Sequence, residues 1–210
     1  MMKLQLAIDR VSVEKAINLI SQVHGRADII EIGTSLIKEY GLYGSVQKIK
    51  RLFPDQTFLA DLKTADEGEY EFRTAFKAGA DIATVMGYAS DETISACGSV
   101  AHEFHKEYMI DLLQVPSFRI KQLKVFQDAI FCIHLPSDEK KGNLKKLIEE
   151  TSKSISGKRR IAVAGGVTSQ MMGFLKAAGC EIAIVGSAIT KSGDIRHAVD
   201  SFYKEISKEA

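Results

Sequence analysis

Short apolar runs alternate with helical patterns along nearly the whole chain, and this rhythm restricts the possible folds more than any other feature. Each apolar run is typical of a strand, and each longer pattern repeats at helical spacing. The predicted strands are Leu4–Ile8, Asp28–Ile32, Thr57–Ala60, Asp81–Met86, Glu107–Leu112, Ala129–His134, Arg160–Ala164 and Glu181–Val185. The predicted helices are Val11–Val23, a stretch around Gly44–Leu52, Glu67–Ala78, Asp91–His105, Ser117–Phe126, Asn143–Ser156, Met171–Ala178 and Asp194–Ser207.

Two architectures accommodate this alternation. Eight strand–helix units in 210 residues are close to the lower limit for a closed (β/α)₈ barrel. An open doubly wound sheet is the alternative, but it usually carries a glycine-rich phosphate loop after its first strand. Here the first turn, Asp9–Val11, has no glycine, and the glycine-rich turns follow the seventh and eighth strands. We therefore predict an α/β fold, a TIM barrel forming a single domain over residues 1–210.

Composition excludes several classes of protein. The net charge of +1 gives no basic field, so we expect no nucleic-acid partner. No apolar run approaches the ~20 residues that a membrane-spanning helix needs, so we expect no membrane association. The three cysteines are scattered and form no CxxC pair, which is typical of reduced thiols in a cytoplasmic protein. The N-terminal residues enter the first strand pattern directly, so we expect no signal peptide.

Charged and polar residues are concentrated where the predicted strands end, which in a barrel is the catalytic face. Carboxylates gathered there would repel one another unless a cation lay between them. Mg²⁺ is a natural partner, because it prefers carboxylate, water and substrate oxygens. The candidate residues at these ends are Asp9, Glu31, Asp61, Lys63, Asp66, Thr84, Asp111, His134, Gly165, Gly166, Gly186 and Ser187.

Structural roles remain open for several of these residues. Asp9 directly precedes a predicted helix and could cap it. Glu31 could form a buried ion pair with Lys63, and His134 could be a satisfied core histidine. The glycines could serve tight turns only, although loops after strands seven and eight of such barrels often bind phosphate through exposed N–H groups.

The spacing Asp61-x-Lys63-x-x-Asp66 resembles the DxKxxD motif of the orotidine-5′-monophosphate decarboxylase suprafamily. Within it, the chain resembles the 3-hexulose-6-phosphate synthase family, with 3-keto-L-gulonate-6-phosphate decarboxylases as close relatives. After His134, however, the chain has Leu135-Pro136, where synthases usually have Thr-Gly. The matching stretches are Leu4–Asp9, Ile30–Thr34, Asp61–Glu71, Ala78–Asp81, Thr84-Val85, Ile110-Asp111, Val163–Gly166 and Val185–Thr190.

The resemblance implies a role for each group of candidates. Glu31 and Asp61 would hold Mg²⁺, and Lys63 and Asp9 would contact the oxygens of a sugar phosphate. Asp66 would reach the site of a second subunit, because the family forms homodimers with the barrel mouths facing each other. The remaining positions are a phosphate cradle of Gly165, Gly166, Gly186 and Ser187, and a possible substrate contact at Asp111.

The implied reaction is an aldol addition. His134 would remove a proton from C1 of D-ribulose 5-phosphate, Mg²⁺ would stabilise the enediolate, and this would attack formaldehyde to give D-arabino-3-hexulose 6-phosphate. Two alternatives remain open at this point. One is decarboxylation of 3-keto-L-gulonate 6-phosphate to L-xylulose 5-phosphate, and the other is a non-catalytic protein that binds a sugar phosphate.

Overall fold

The strands form a closed parallel barrel in chain order, with β8 paired to β1. The computed structural model describes residues 2–139, 143–155 and 159–208. The predicted single-domain (β/α)₈ TIM barrel is confirmed. Its strands are β1 (Lys3–Ile8), β2 (Ile29–Ile32), β3 (Thr57–Thr64), β4 (Ile82–Met86), β5 (Glu107–Asp111), β6 (Ile130–His134), β7 (Arg160–Ala164) and β8 (Ile182–Val185).

Helices follow the strands and cover the outside of the barrel. Several begin at a residue whose side chain accepts a backbone N–H of the first turn, as Ser12, Ser90, Asn143 and Asp194 do. The α-helices are α1 (Val13–Val23), α2 (Thr34–Leu42), α3 (Lys48–Leu52), α4 (Gly68–Lys77), α5 (Asp91–Glu103), α6 (Ser117–Gln122), α7 (Leu144–Ser154), α8 (Met172–Ala177), α9 (Ser187–Thr190) and α10 (Ile195–Ser207). None of the helices in the described ranges combines the length and apolar character required to cross a bilayer.

Two predicted elements have wrong bounds. The helical region after β2 begins at Thr34, ten residues before the predicted stretch around Gly44–Leu52, and a π-helical turn over Tyr43–Gln47 links α2 to α3. Gly41, at φ 67°, kinks α2 and interrupts the apolar periodicity. β3 continues to Thr64 instead of ending at Ala60.

The apolar residues form two separate cores. The larger core lies between the strands and the helices, and residues such as Leu4, Leu6 and Ile8 enter it from β1. The smaller core fills the inside of the barrel. Its members are Ile29, Leu59, Ile82, Met109, Ile130, Cys132, Ala162, Ala164, Ile182 and Ile184.

Alternation along the strands places the acids above the inner core. Ile29 and Leu59 belong to that core, and Glu31 and Asp61 follow them by two residues on the same strands. Side chains two residues apart on a strand share a face. The acids therefore project inward at the carboxyl end of the barrel, where β/α barrels build their sites.

A close approach between α4 and α5 generates the first prediction. A Cβ at Gly68 would lie 2.7 Å from Cys97 Sγ and 2.8 Å from the carbonyl oxygen of Thr93. We expect Gly68→Ala to lower the free energy of unfolding by about 1–3 kcal/mol through overpacking. Urea denaturation measures this change.

Gly173 provides the matched control, because it lies in α8 and a Cβ there would meet nothing within 4 Å. Gly173→Ala should stabilise the protein by about 0.5–1 kcal/mol through helix propensity. Equal effects from the two substitutions would contradict the close packing of α4 on α5.

Candidate active site

A cavity of about 730 Å³ opens at the carboxyl ends of the strands. Every predicted site residue except Asp66 lines it. The structure therefore brings together residues that are up to 178 positions apart in the chain, from Asp9 to Ser187. The predicted residues in its wall are Asp9, Glu31, Asp61, Lys63, Asp111, His134, Gly165, Gly166, Gly186 and Ser187.

Lys63 is the central cation of this cavity. Its Nζ lies 2.8 Å from Asp111 Oδ2 and 3.1 Å from Asp61 Oδ2. Burial acts to lower the pKa of the ammonium, but the charges of Asp61 and Asp111 outweigh it, so the pKa of Lys63 is raised above its usual value. Lys63 therefore stays protonated and holds two carboxylates from β3 and β5 together.

An irregularity in β3 places this cation. The pairing with β4 runs from Ala60 opposite Ala83 to Thr64 opposite Val85, so β3 has two more residues than β4 over this segment. Lys63 adopts a left-handed backbone conformation with φ 53°, which is uncommon for a residue with a Cβ. Such a bulge redirects side chains locally, and it explains why the strand continues past Ala60.

Asp61 accepts hydrogen bonds on both carboxylate oxygens. The hydroxyl of Thr34 donates to Oδ2 at 2.7 Å, and the hydroxyl of Thr84 donates to Oδ1 at 2.8 Å. Together with Lys63, these donors fix the orientation of a carboxylate that is 7% exposed. Asp61 is therefore an ordered acceptor in the cavity wall.

Glu31 is in a different electrostatic position. It is buried, and among the described residues only the Nε2 of Gln5, at 2.6 Å, donates to its carboxylate. Burial and the neighbouring charge of Asp61 raise the pKa of Glu31 to about 8. The alternative of a buried Glu31–Lys63 ion pair is wrong, because Lys63 binds Asp61 and Asp111 instead.

His134 is hydrogen-bonded through Nδ1 to Asp111, with distances of 3.1 Å to Oδ1 and 3.0 Å to Oδ2. Asp111 is 3% exposed. Burial acts to raise the pKa of Asp111, but His134 and Lys63 outweigh it and hold this pKa at about 2. The histidine at the end of β6 is therefore tethered by a carboxylate that remains ionised.

Asp9 does not cap the following helix, so that structural alternative is wrong. Ser12 caps α1, whereas the carboxylate of Asp9 accepts hydrogen bonds from the N–H and hydroxyl of Ser35 at 3.3 and 2.8 Å. A Cβ at Gly33 would lie 2.2 Å from Asp9 Cγ. Glycine is therefore required at position 33 for Asp9 to lie against the start of α2.

The glycine turns after β7 and β8 lie in the same cavity wall. Gly165 has φ 91°, and a Cβ there would lie 2.2 Å from the carbonyl oxygen of Leu135. Gly166 has φ 75° and open space around it, and no backbone acceptor within the described residues receives its N–H. Gly186 precedes the short helix α9, which begins at Ser187. These turns have packing roles and also present backbone to the cavity.

Asp66 lies apart from the other candidates. It is exposed, it does not line the cavity, and its Oδ1 accepts the N–H of Glu67 at 2.8 Å. Its predicted role in the site of a second subunit stays a prediction.

Two sets of residues offer ligands for a metal ion. Asp111, Cys132 and His134 each have a ligand atom within 4.8 Å of the others. Burial holds the pKa of the Cys132 thiol well above its usual range, so this set is short of a ready anionic ligand. Glu31 and Asp61 instead supply hard carboxylate oxygens, and Glu31 has no cationic partner among the residues that the structure describes. This second set fits Mg²⁺ better.

Three polar residues of the site had no role in the sequence-based interpretation. Gln5 and Thr34 were not singled out, and Thr84 was noted only as the end of a strand. A glutamine within the apolar run Leu4–Ile8 could have signalled an inward-facing partner. The contacts of Thr34 and Thr84 with Asp61 depend on how β3 meets β4 and the start of α2, and the sequence carries no local signal of them.

Comparison with known proteins identifies the family. A sequence model described as the orotidine 5′-phosphate decarboxylase / HUMPS family matches residues 2–202. The chain belongs to this family. The proposed resemblance is thereby confirmed.

Several relatives that are similar to this chain over nearly its whole length have the same name. The chain is 37% identical to the 3-hexulose-6-phosphate synthase of Mycobacterium gastri, covering 92% of this chain and 94% of the relative. It is 34% identical to the enzyme of the same name from Bacillus subtilis (strain 168), covering 92% and 93%. The crystal structure of 3-hexulose-6-phosphate synthase from Salmonella typhimurium is similar with a TM-score of 0.91 at 32% identity, covering 98% of both chains. These relatives support the prediction of an enzyme of the aldehyde-lyase type.

The unusual pKa of Glu31 generates a prediction about stability. Its pKa of about 8 in the folded protein lies above the ordinary value of 4.5, so the folded state binds this proton more tightly than the unfolded state. The free energy of unfolding of the metal-free protein should therefore fall as the pH rises from about 4.5 to about 8.

Glu31→Gln removes this titration while keeping the shape of the side chain. Urea denaturation in the presence of a chelator, at several pH values, should show the wild type losing stability relative to Glu31→Gln as the pH increases. Parallel stability curves for the two proteins would show that Glu31 titrates normally.

Proposed function

We propose that this protein is a Mg²⁺-dependent 3-hexulose-6-phosphate synthase, which joins formaldehyde and D-ribulose 5-phosphate reversibly to form D-arabino-3-hexulose 6-phosphate. The observation that carries the proposal is the convergence of Glu31, Asp61, Lys63 and a tethered His134 in one cavity that also contains two glycine turns. The names of the relatives from Mycobacterium gastri and Bacillus subtilis support the choice of substrates.

The glycine turns would bind the phosphate of the substrate. Gly165, Gly166, Gly186 and Ser187 lie in loops after β7 and β8, the usual phosphate position of such barrels. Arg10, Lys15 and Lys191 line the same cavity and add positive charge. A phosphate held there would direct the ketose toward the acids at the ends of β1, β2 and β3.

His134 would act as the general base at C1 of the pentulose phosphate. The ionised Asp111 accepts the Nδ1–H of the ring, which leaves the lone pair on Nε2 for the proton of the substrate. No group in the described part of the chain is hydrogen-bonded to Nε2. The base is thus oriented by a carboxylate and free at its reactive nitrogen.

Lys63 would stabilise the negative charge that develops on the enediolate oxygens, since its ammonium is held in place before the reaction. Asp9 would accept a hydrogen bond from a hydroxyl of the sugar. Glu31 and Asp61 would hold the Mg²⁺ ion, which when bound supplies Lewis-acid polarisation of the ketose carbonyl.

A homodimer with its sites at the interface is part of the proposal. Tyr70, Tyr88 and Phe118 are 70%, 57% and 69% exposed. They follow β3, β4 and β5, which are neighbours in the barrel, on the side where the cavity opens. Exposed aromatic residues of this kind favour a protein partner, and a second copy placed there would bring its own Asp66 near this cavity.

The first functional prediction concerns turnover. Incubation with D-ribulose 5-phosphate, formaldehyde and Mg²⁺ should consume formaldehyde, while Asp61→Ala and His134→Gln should each reduce the rate by at least about 100-fold. Formaldehyde loss and formation of the hexulose phosphate are measured together.

The same preparations distinguish the alternatives. Release of CO₂ from 3-keto-L-gulonate 6-phosphate, without consumption of formaldehyde, would identify the decarboxylase instead. Binding of Mg²⁺ and a sugar phosphate without turnover of either substrate would identify a non-catalytic relative.

A second prediction tests the shared site. Asp61→Ala and Asp66→Ala should each be nearly inactive alone. When the two variants are unfolded and refolded together, hybrid dimers contain one site with an intact Asp61 and an intact Asp66 from the opposite subunit.

Random assembly makes half of the dimers hybrids with one intact site each, so the mixture should recover about a quarter of the wild-type activity. Asp61→Ala mixed with Glu31→Gln is the control. Both substitutions remove a metal ligand from the subunit that carries them. In a hybrid dimer, one site therefore lacks Asp61 and the other lacks Glu31, so no site is intact and no activity is recovered. The absence of recovery in the first mixture would show that Asp66 does not act across the interface.

A further inference from the structure

Thr84 joins the side chain of Asp61 to the backbone of Lys63, the two charged residues of β3. Its hydroxyl donates to Asp61 Oδ1 at 2.8 Å and accepts the backbone N–H of Lys63 at 2.9 Å. Thr84 itself is 3% exposed on β4 and lines the cavity. The hydroxyl of Thr84 therefore donates one hydrogen bond and accepts another, and its two partners, Asp61 and Lys63, are two residues apart in β3.

The geometry of β3 makes this contact important. Between Ala60 and Thr64 the strand leaves its regular pairing with β4, so the N–H groups there lose their ordinary ladder partners. Lys63 is in the left-handed region at φ 53°, where a residue with a Cβ needs support from its surroundings. The hydroxyl of Thr84 provides an acceptor for the Lys63 N–H at this point.

We propose that Thr84 is a positioning residue, which holds the β3 bulge so that the Lys63 ammonium and the Asp61 carboxylate point into the cavity together. Its consequence for catalysis rests on the proposed function, but its consequence for the position of Lys63 does not. A hydroxyl is required, because valine has a similar shape but can neither donate to Asp61 nor accept from Lys63.

The chain offers matched variants for the test. Thr84→Val removes both hydrogen bonds, and Thr84→Ser keeps the hydroxyl. Thr34→Val removes a hydrogen bond to Asp61 but none to Lys63. The difference between Thr84→Val and Thr34→Val therefore measures the part of the effect that passes through Lys63. Thr151→Val is the control for burial of a threonine, because Thr151 is 6% exposed in α7, outside this cavity.

Crystal structures of the ligand-free variants provide the first readout. In Thr84→Val, we expect the Lys63 backbone to leave the left-handed region and its Nζ to move out of contact with Asp61 or Asp111. Thr84→Ser and Thr34→Val should keep the wild-type position of Lys63. A Thr84→Val structure with Lys63 unmoved would overturn the proposal, whatever reaction the protein catalyses.

Calorimetric titration with Mg²⁺ and steady-state kinetics provide the second readout. Thr84→Val should weaken Mg²⁺ binding by about 10-fold and lower kcat more than it changes KM, as losses of outer-shell partners commonly do. Thr84→Ser should restore both values to within about 3-fold of the wild type. Thr151→Val should leave both unchanged.

If Thr84→Val does not fold, Thr84→Cys keeps the volume with a weak S–H donor and should give an intermediate loss of Mg²⁺ affinity and kcat. Wild-type Mg²⁺ affinity and kcat in Thr84→Val or Thr84→Cys would contradict the proposal. A wild-type protein that turns over neither candidate substrate would refute the proposed function alone, since the position of Lys63 in the variant crystals decides the role of Thr84 separately.

Discussion

The site depends on the pairing of one half-buried ammonium with two carboxylates from different strands. Lys63 contacts Asp61 and Asp111 at 3.1 and 2.8 Å. Removing one partner from such a group leaves a charge with no compensation in a low-dielectric interior, which is costly. The bulge in β3 places Lys63, the hydroxyls of Thr34 and Thr84 orient Asp61, and Asp111 orients His134, so each of these features supports the ion cluster.

Within the described part of the chain, no lysine or arginine is paired with Glu31. Lys63 compensates Asp61 and Asp111, whereas Glu31 has an amide donor and a pKa raised to about 8. At neutral pH the metal-free site therefore favours a proton on Glu31. A divalent cation would satisfy the same carboxylate, and this charge balance gives a physical reason for the proposed metal position beside Asp61.

The barrel makes these contacts possible by placing its apolar core residues below the polar residues of the site. Apolar residues such as Ile29 and Leu59 fill the interior below the site, so the polar residues two positions later face a cavity with an apolar floor. The glycine turns close the opposite wall, with Gly165 packed against the backbone of Leu135. A rigid scaffold of this kind holds catalytic groups in place before substrate arrives.

Local patterns in the sequence determined the order of the strands and helices, and position at strand ends identified most of the residues that line the cavity. These features depend on periodicity and on neighbours in the chain. The true start of α2 was hidden by the kink at Gly41, and the extension of β3 was hidden because charged residues rarely continue a buried strand. Tertiary structure alone decided that Lys63 pairs with Asp61 and Asp111 instead of Glu31, and that Thr84 joins Asp61 to Lys63. Lys63 and Asp61 are neighbours on β3, but the contacts with Asp111 and Thr84 join strands that lie 21 to 48 residues apart in the sequence, and no local pattern records them.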